Sequence, residues 1–194
     1  LIGGMKPFDA LTLSFGTAGT GGFGIKNSSI ADYSTYSQWV ITIFMILFGI
    51  DFSVYHSLFI RRFPSALRSE EVRVYLLTIA AATAVIMYNC RSLFEGFFDA
   101  LRHSAFQVAS LITTTGYSTA DFDKWPELSK TVLLLLMFIG ACAGSTGGGI
   151  KVSRVIVMFK SIVKEVKIAA HPKSTHKLQL SGRPVEHETQ RSIN

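Results

Sequence analysis

The chain has 194 residues, 48% of them apolar and only 16% charged, with a mean hydropathy of +0.35. That balance is more apolar and less charged than an ordinary soluble domain carries. The net charge of +6 is concentrated in two basic blocks beside apolar runs, a distribution that argues against a nucleic-acid partner. Cys90 and Cys142 stand alone, with neither metal-ligand nor disulfide-framework spacing, and read as small apolar fillers.

In chain order, the first element is "KPFDALTLSF", a half-length helix with Pro7 suited to its first turn and Asp9 to its positive end. The Gly/Thr stretch "GTAGTGGFG" follows it. A polar connection with aromatic residues, "KNSSIADYSTYSQ", leads into residues 39–60, an apolar run long enough to cross a hydrocarbon core of roughly 30 Å. Next comes the basic block "RRFPSALRSEEVR", with Arg61, Arg62, Arg68 and Arg73. Residues 72–88 form a second, shorter apolar run. "DALRHSAFQVASL" is another half-helix, with Asp99 near its start, and it runs into "ITTTGYSTADF". The mixed-sign segment "DFDKWPELSK" precedes a third apolar run from Thr131 to Ile139. That run passes into "GACAGSTGGGIKVSR" and then into a basic amphipathic helix, "VIVMFKSIVKEVKIAAHPK". The tail "SGRPVEHETQRSIN" is polar and shows no chemistry.

The two basic blocks, the second with Lys160, Lys164, Lys167, Lys173 and Lys177, place their ends of the apolar runs on the cytoplasmic side. Both half-helices then lie on the outer side. The two Gly/Thr stretches align at an offset of 94 residues, which sets Thr20 on Thr114, Gly21 on Thr115, Gly22 on Gly116 and Phe23 on Tyr117. Each lies between a half-helix and an apolar helix. Repeated, interrupted segments of this kind point to a transport pathway near the bilayer midplane. Backbone carbonyls and threonine hydroxyls can replace the hydration shell of a monovalent cation. Irregular backbone survives in a membrane only where protein or water covers it.

Other residues have competing readings. "GSTGGGIK" resembles a phosphate-binding loop superficially, but Ile150 separates Lys151 from the last glycine and no strand precedes it. Lys151 either faces the pore or snorkels to the cytoplasmic interface. Asp51 is an intramembrane carboxylate, a functional candidate by position. His56, five residues on, points elsewhere on a helix. His103 and Arg102 read as packing or outer-surface groups. The basic amphipathic helix suits either anionic lipid or a cytoplasmic regulator. No nucleophile and base set presents itself, so catalysis is not expected.

The stretches "SFGTAGTGGFG", "SAFQVASLITTTGYSTADFDKWP" and above all "GACAGSTGGGIKVSR" resemble the Trk/Ktr/HKT superfamily of cation-translocating subunits, nearest its bacterial TrkH branch. The resemblance covers nearly the whole chain and implies an all-α integral membrane fold of helix–pore-loop–helix repeats with re-entrant half-helices and a broken inner helix. That family has four non-identical repeats around one pore. The chain, opening at Leu1, would then correspond to the middle of a longer protein. Residues 1–62 would be the second repeat's pore helix, filter and inner helix; 63–71 a cytoplasmic loop; 72–167 the third repeat; and 168–194 a cytoplasmic linker. The resemblance implies a filter of Gly19, Thr20, Gly21 and Gly22 with Thr113, Thr114, Thr115 and Gly116. It implies a gate made of Gly140, Gly144, Ser145, Thr146, Gly147, Gly148, Gly149 and Lys151. Ser145 and Thr146 would satisfy freed backbone groups or meet the ion. The implied cargo is potassium, with no organic cofactor. The implied partners are membrane lipid, a second copy of the full-length protein and a cytoplasmic nucleotide-binding regulatory subunit, in the bacterial inner membrane. Sodium translocation and a non-conducting membrane role stand as alternatives.

Overall fold

The computed structural model describes residues 1–60, 69–170, 179–180 and 183–184. Arg61, Arg62, Arg68, Lys173, Lys177 and most of the polar tail lie outside the described residues. In chain order the helices are α1 (Pro7–Ala18), α2 (Thr35–Phe48), α3 (Phe52–Phe59), α4 (Glu70–Cys90), α5 (Phe97–Ile112), α6 (Glu127–Ile139) and α7 (Val152–Ala170). Single 3-10 turns sit at Arg91–Leu93 and Phe122–Lys124. A two-residue antiparallel ladder pairs Gln179–Leu180 with Arg183–Pro184.

The half-helices form as their sequences dictate. Pro7 opens α1 with Asp9 in its first turn, and Asp99 occupies the first turn of α5. The 12 residues of α1 and 16 of α5 rise about 18 and 24 Å at 1.5 Å per residue, short of a full crossing. The 21 residues of α4 suffice. With the following turn, α4 is the one continuous helix among the described residues that is long and apolar enough to cross a membrane.

The run 39–60 is not one helix. It divides into α2 and α3, bent by 90°. Gly49 ends α2, and the Asp51 side chain caps α3 by accepting from the Ser53 amide at 2.8 Å. A capping carboxylate offers the backbone an alternative to continuing the helix, and it prevails here. The bend is also sterically fixed. The Tyr75 hydroxyl of α4 lies so close that a Cβ on Gly49 would stand 2.1 Å from it, and that hydroxyl donates to the Ile46 carbonyl at 3.2 Å.

Helix α5 is the hub, packed against α2, α4 and α6, while α1 rests on α2. One apolar cluster joins Tyr75, Ile79 and Ile86 of α4 to Val108 and Ile112 of α5 and Leu133 of α6. A second joins Leu13 of α1 to Met45 of α2, Phe106 of α5 and Tyr117. On α4 the buried residues run Glu71, Tyr75, Ile79, Ala82, Thr83, Ile86 and Cys90, one helical stripe. Its other faces expose Leu76, Leu77, Val85 and Tyr88, as do α6 with Leu134 and Leu135 and α7 with Phe159 and Ile162. Apolar residues facing outward on several helices mark surfaces meant for lipid or further protein.

Candidate functional site

The two Gly/Thr stretches share three backbone bonds at equivalent positions. After α1, the Gly19 amide donates to Phe15 O, Thr20 to Thr17 O and Gly21 to Gly16 O, at 2.9, 3.2 and 2.8 Å. After α5, Thr113 donates to Ala109 O, Thr114 to Leu111 O and Thr115 to Ser110 O, at 3.1, 3.0 and 2.9 Å. Each pair of partners is displaced by the same 94 residues seen in the sequence. The backbone angles agree as well. Thr20 and Thr114 have φ of 49° and 58°, and Gly22 and Gly116 have φ of 69° and 86°. The glycines accept the left-handed region without cost. The threonines are held there by their local bonds, with each hydroxyl on its preceding carbonyl, Gly19 O at 2.8 Å and Thr113 O at 2.6 Å.

The turns lie side by side. A Cβ on Gly22 would stand 1.7 Å from the Thr115 carbonyl oxygen, so no other residue fits. Beyond the turns, Ile30 donates to Ser118 O at 3.0 Å and the Ser118 amide to Ser29 Oγ at 3.1 Å. In the second turn Thr113 and Thr115 are buried, with their hydroxyls 2.7 Å apart, while Thr114 and Gly116 are exposed. His103 and Arg102 sit behind it. His103 stacks on Phe94 and meets the Thr119 hydroxyl at 2.9 Å, and Arg102 pairs with Asp99 at 2.8 Å. These are packing roles. On the loop before α6, the Lys124 ammonium hydrogen-bonded to Asp121 holds that carboxyl below its usual range.

Residues 140–151 form a loop between α6 and α7 that meets both turns. The Thr20 hydroxyl lies 2.9 Å from the Thr146 carbonyl, and the Gly148 amide donates to the Thr114 hydroxyl at 2.7 Å. A Cβ on Gly147 would stand 3.1 Å from the Thr113 carbonyl oxygen. The neck of the loop is as tight: a Cβ on Gly149 would lie 2.7 Å from the Gly140 Cα. Ser145 donates to Cys142 O at 2.6 Å, and Thr146 reaches Phe48 O, a carbonyl freed at the end of α2, at 3.4 Å. Lys151 turns back on the loop and donates from its ammonium to the Gly147 carbonyl.

The loop is also stitched to the α2–α3 bend. Cys142 donates to Gly49 O at 3.0 Å, and Phe52 donates to Gly144 O at 3.2 Å. Asp51 stands beside Gly144, where a Cβ would be 2.6 Å from its Oδ1. His56 is exposed on α3. Glu71, which the sequence presents as one acid in a basic connecting block, is buried with its Oε1 accepting from the Ala143 and Ser153 amides. Its partners lie 72 and 82 residues away, so no local pattern marks it.

Two half-helices thus end in matching irregular turns, and a loop that meets both interrupts the third apolar run. The family model described as "Cation transport protein", TrkH, matches residues 3–193. The chain is 32% identical over 185 residues to the Trk system potassium uptake protein TrkH of Salmonella typhimurium, covering 93% of this chain and 38% of that protein. It is 30% identical over 197 residues to TrkG of Escherichia coli, covering 99% and 40%. The crystal structure of the potassium transporter TrkH from Vibrio parahaemolyticus superposes with a TM-score of 0.91 at 27% identity, over 99% of this chain and 42% of that one. The chain belongs to the TrkH family of cation transport proteins and is a multi-pass protein of the bacterial inner membrane. It spans about two-fifths of the length of the relatives it matches.

Proposed function

We propose that residues 19–22 and 113–116 are two segments of a potassium filter and that residues 140–151 gate the pathway beneath it. One observation carries this reading. The two turns share their hydrogen bonds and left-handed positions, and the same loop meets the Thr20 and Thr114 hydroxyls. Left-handed residues alternate with others along each turn, an arrangement that aligns successive carbonyls on one side, as coordination of a dehydrated monovalent cation requires. The negative C-terminal ends of α1 and α5 face the turns and favour a cation there. Ser145 bonds backbone within the loop and Thr146 reaches the carbonyl at the end of α2, so both serve the loop's own polar groups.

The transported ion on this reading is potassium, as in the named relatives. The whole protein works as a homodimer, and its regulator is a cytoplasmic nucleotide-binding subunit received by the basic face of α7, which carries Lys164 and Lys167. The experiment is rubidium or potassium uptake by the full-length protein in a bacterium stripped of its own uptake systems. Gly116→Asp places a side chain and a charge where φ is 86° and is expected to abolish uptake while leaving membrane insertion intact. Normal uptake by an inserted Gly116→Asp protein refutes the filter assignment.

A further inference from the structure

Glu71 is 9% exposed, in the first turn of α4. A buried carboxylate is costly unless its charge is met by donors. Here the same oxygen accepts from the Ala143 amide at 2.6 Å and from the Ser153 amide at 3.1 Å. Ala143 belongs to the first part of the 140–151 loop, and Ser153 to the first turn of α7, just past the loop's end. A helix's first amides have no partner within the helix and need one from outside. For α7 that partner comes from another helix, and it takes the start of the loop as well. The positive N-terminal ends of α4 and α7 both favour a carboxylate at this point. Glu70, one residue earlier, pairs with Lys160 at 2.7 Å. The first turn of α4 therefore holds α7 at two heights, Ser153 and Lys160.

We propose that Glu71 is the positioning residue of the gate: its carboxylate ties both ends of the 140–151 loop to α4 and so holds the loop against the filter turns. The inference rests on the gate reading of that loop. Helix α4 supplies the fixed wall, because its buried stripe is packed into the larger apolar cluster. Removing the carboxylate leaves two part-buried amides without their charge-assisted acceptor, and the seated position of the loop loses its advantage over a displaced one.

The test uses the full-length protein in proteoliposomes, in a background where Cys142 is the single thiol. Cys142 precedes Ala143 and is fully buried, so its modification by a methanethiosulfonate reagent reports displacement of the loop independently of conduction. Glu71→Ala is expected to speed that modification about tenfold or more, since a lost bond to a charged group is among the stronger single losses. Glu71→Gln, whose amide oxygen still accepts, is expected to speed it less, and rubidium uptake without the regulator rises in the same order. An unchanged modification rate in a Glu71→Ala protein that elutes like its parent overturns the inference. If the alanine variant does not assemble, an unchanged rate in Glu71→Gln overturns it equally. Faster modification with unchanged uptake upholds Glu71 as the tether and refutes the gate reading.

Discussion

The break between α2 and α3 takes three residues, 49–51, and the break between α6 and α7 takes twelve, 140–151. The short break carries much of its own support. Asp51 caps the helix that follows it, and from outside the bend one side chain, Tyr75 of α4, fills the space where a larger residue than Gly49 would go. The long break borrows most of its support. Its amides and carbonyls bond to Gly49, Phe52, Glu71 and the threonines of both turns, each on another part of the chain. A bend with local caps is scaffold. A loop whose seat depends on distant partners can be displaced without unfolding its helices.

The largest effect that would test this contrast is at the bend. Gly49→Val drives a side chain into the Tyr75 hydroxyl, and overpacking of that kind costs about 3 kcal/mol in an otherwise rigid core. A large drop in the thermal midpoint is expected, read by fluorescence-detected size exclusion. A Gly49→Val protein as stable as its parent would show that the bend also yields. Shortening the loop by deleting residues 144–149 should do the reverse, leaving the midpoint close to the parent's and raising basal rubidium uptake severalfold. A deletion that unfolds the protein, or one that leaves it as closed as before, removes the distinction. The smallest effect is at the cap. Asp51→Ala should cost about 1 kcal/mol and Asp51→Asn less, because asparagine caps nearly as well. Equal losses for the two would assign Asp51 a charge-dependent role beyond capping.

The sequence makes the two Gly/Thr turns legible because their constraint is local. Glycine and threonine recur at one fixed offset, and at Gly22 and Gly116 the left-handed backbone demands glycine. The half-helices are legible for the same reason, through Pro7, Asp9 and Asp99. The α2–α3 bend is hidden by hydropathy, since the apolar run continues through it, yet Gly49 followed by Asp51 and Ser53 is a helix end and a cap in plain view. Glu71 has no such signature. Its neighbours in sequence make it look like a first-turn surface acid, and only tertiary contact places it between two segments far along the chain.

At the neck of the 140–151 loop, Ile150 donates to Phe138 O at 3.3 Å and Val152 to Ala141 O at 3.1 Å. These bonds bring the loop's two ends together, so the residues between them form a ring already closed, of the kind called an Ω-loop. The entropy of closing a chain segment is charged when its ends meet, and here it is settled on folding. Swinging such a ring aside neither opens it nor moves its stalk. Helices α6 and α7 can therefore keep their places while the ring tilts, and the lipid around them need not be disturbed.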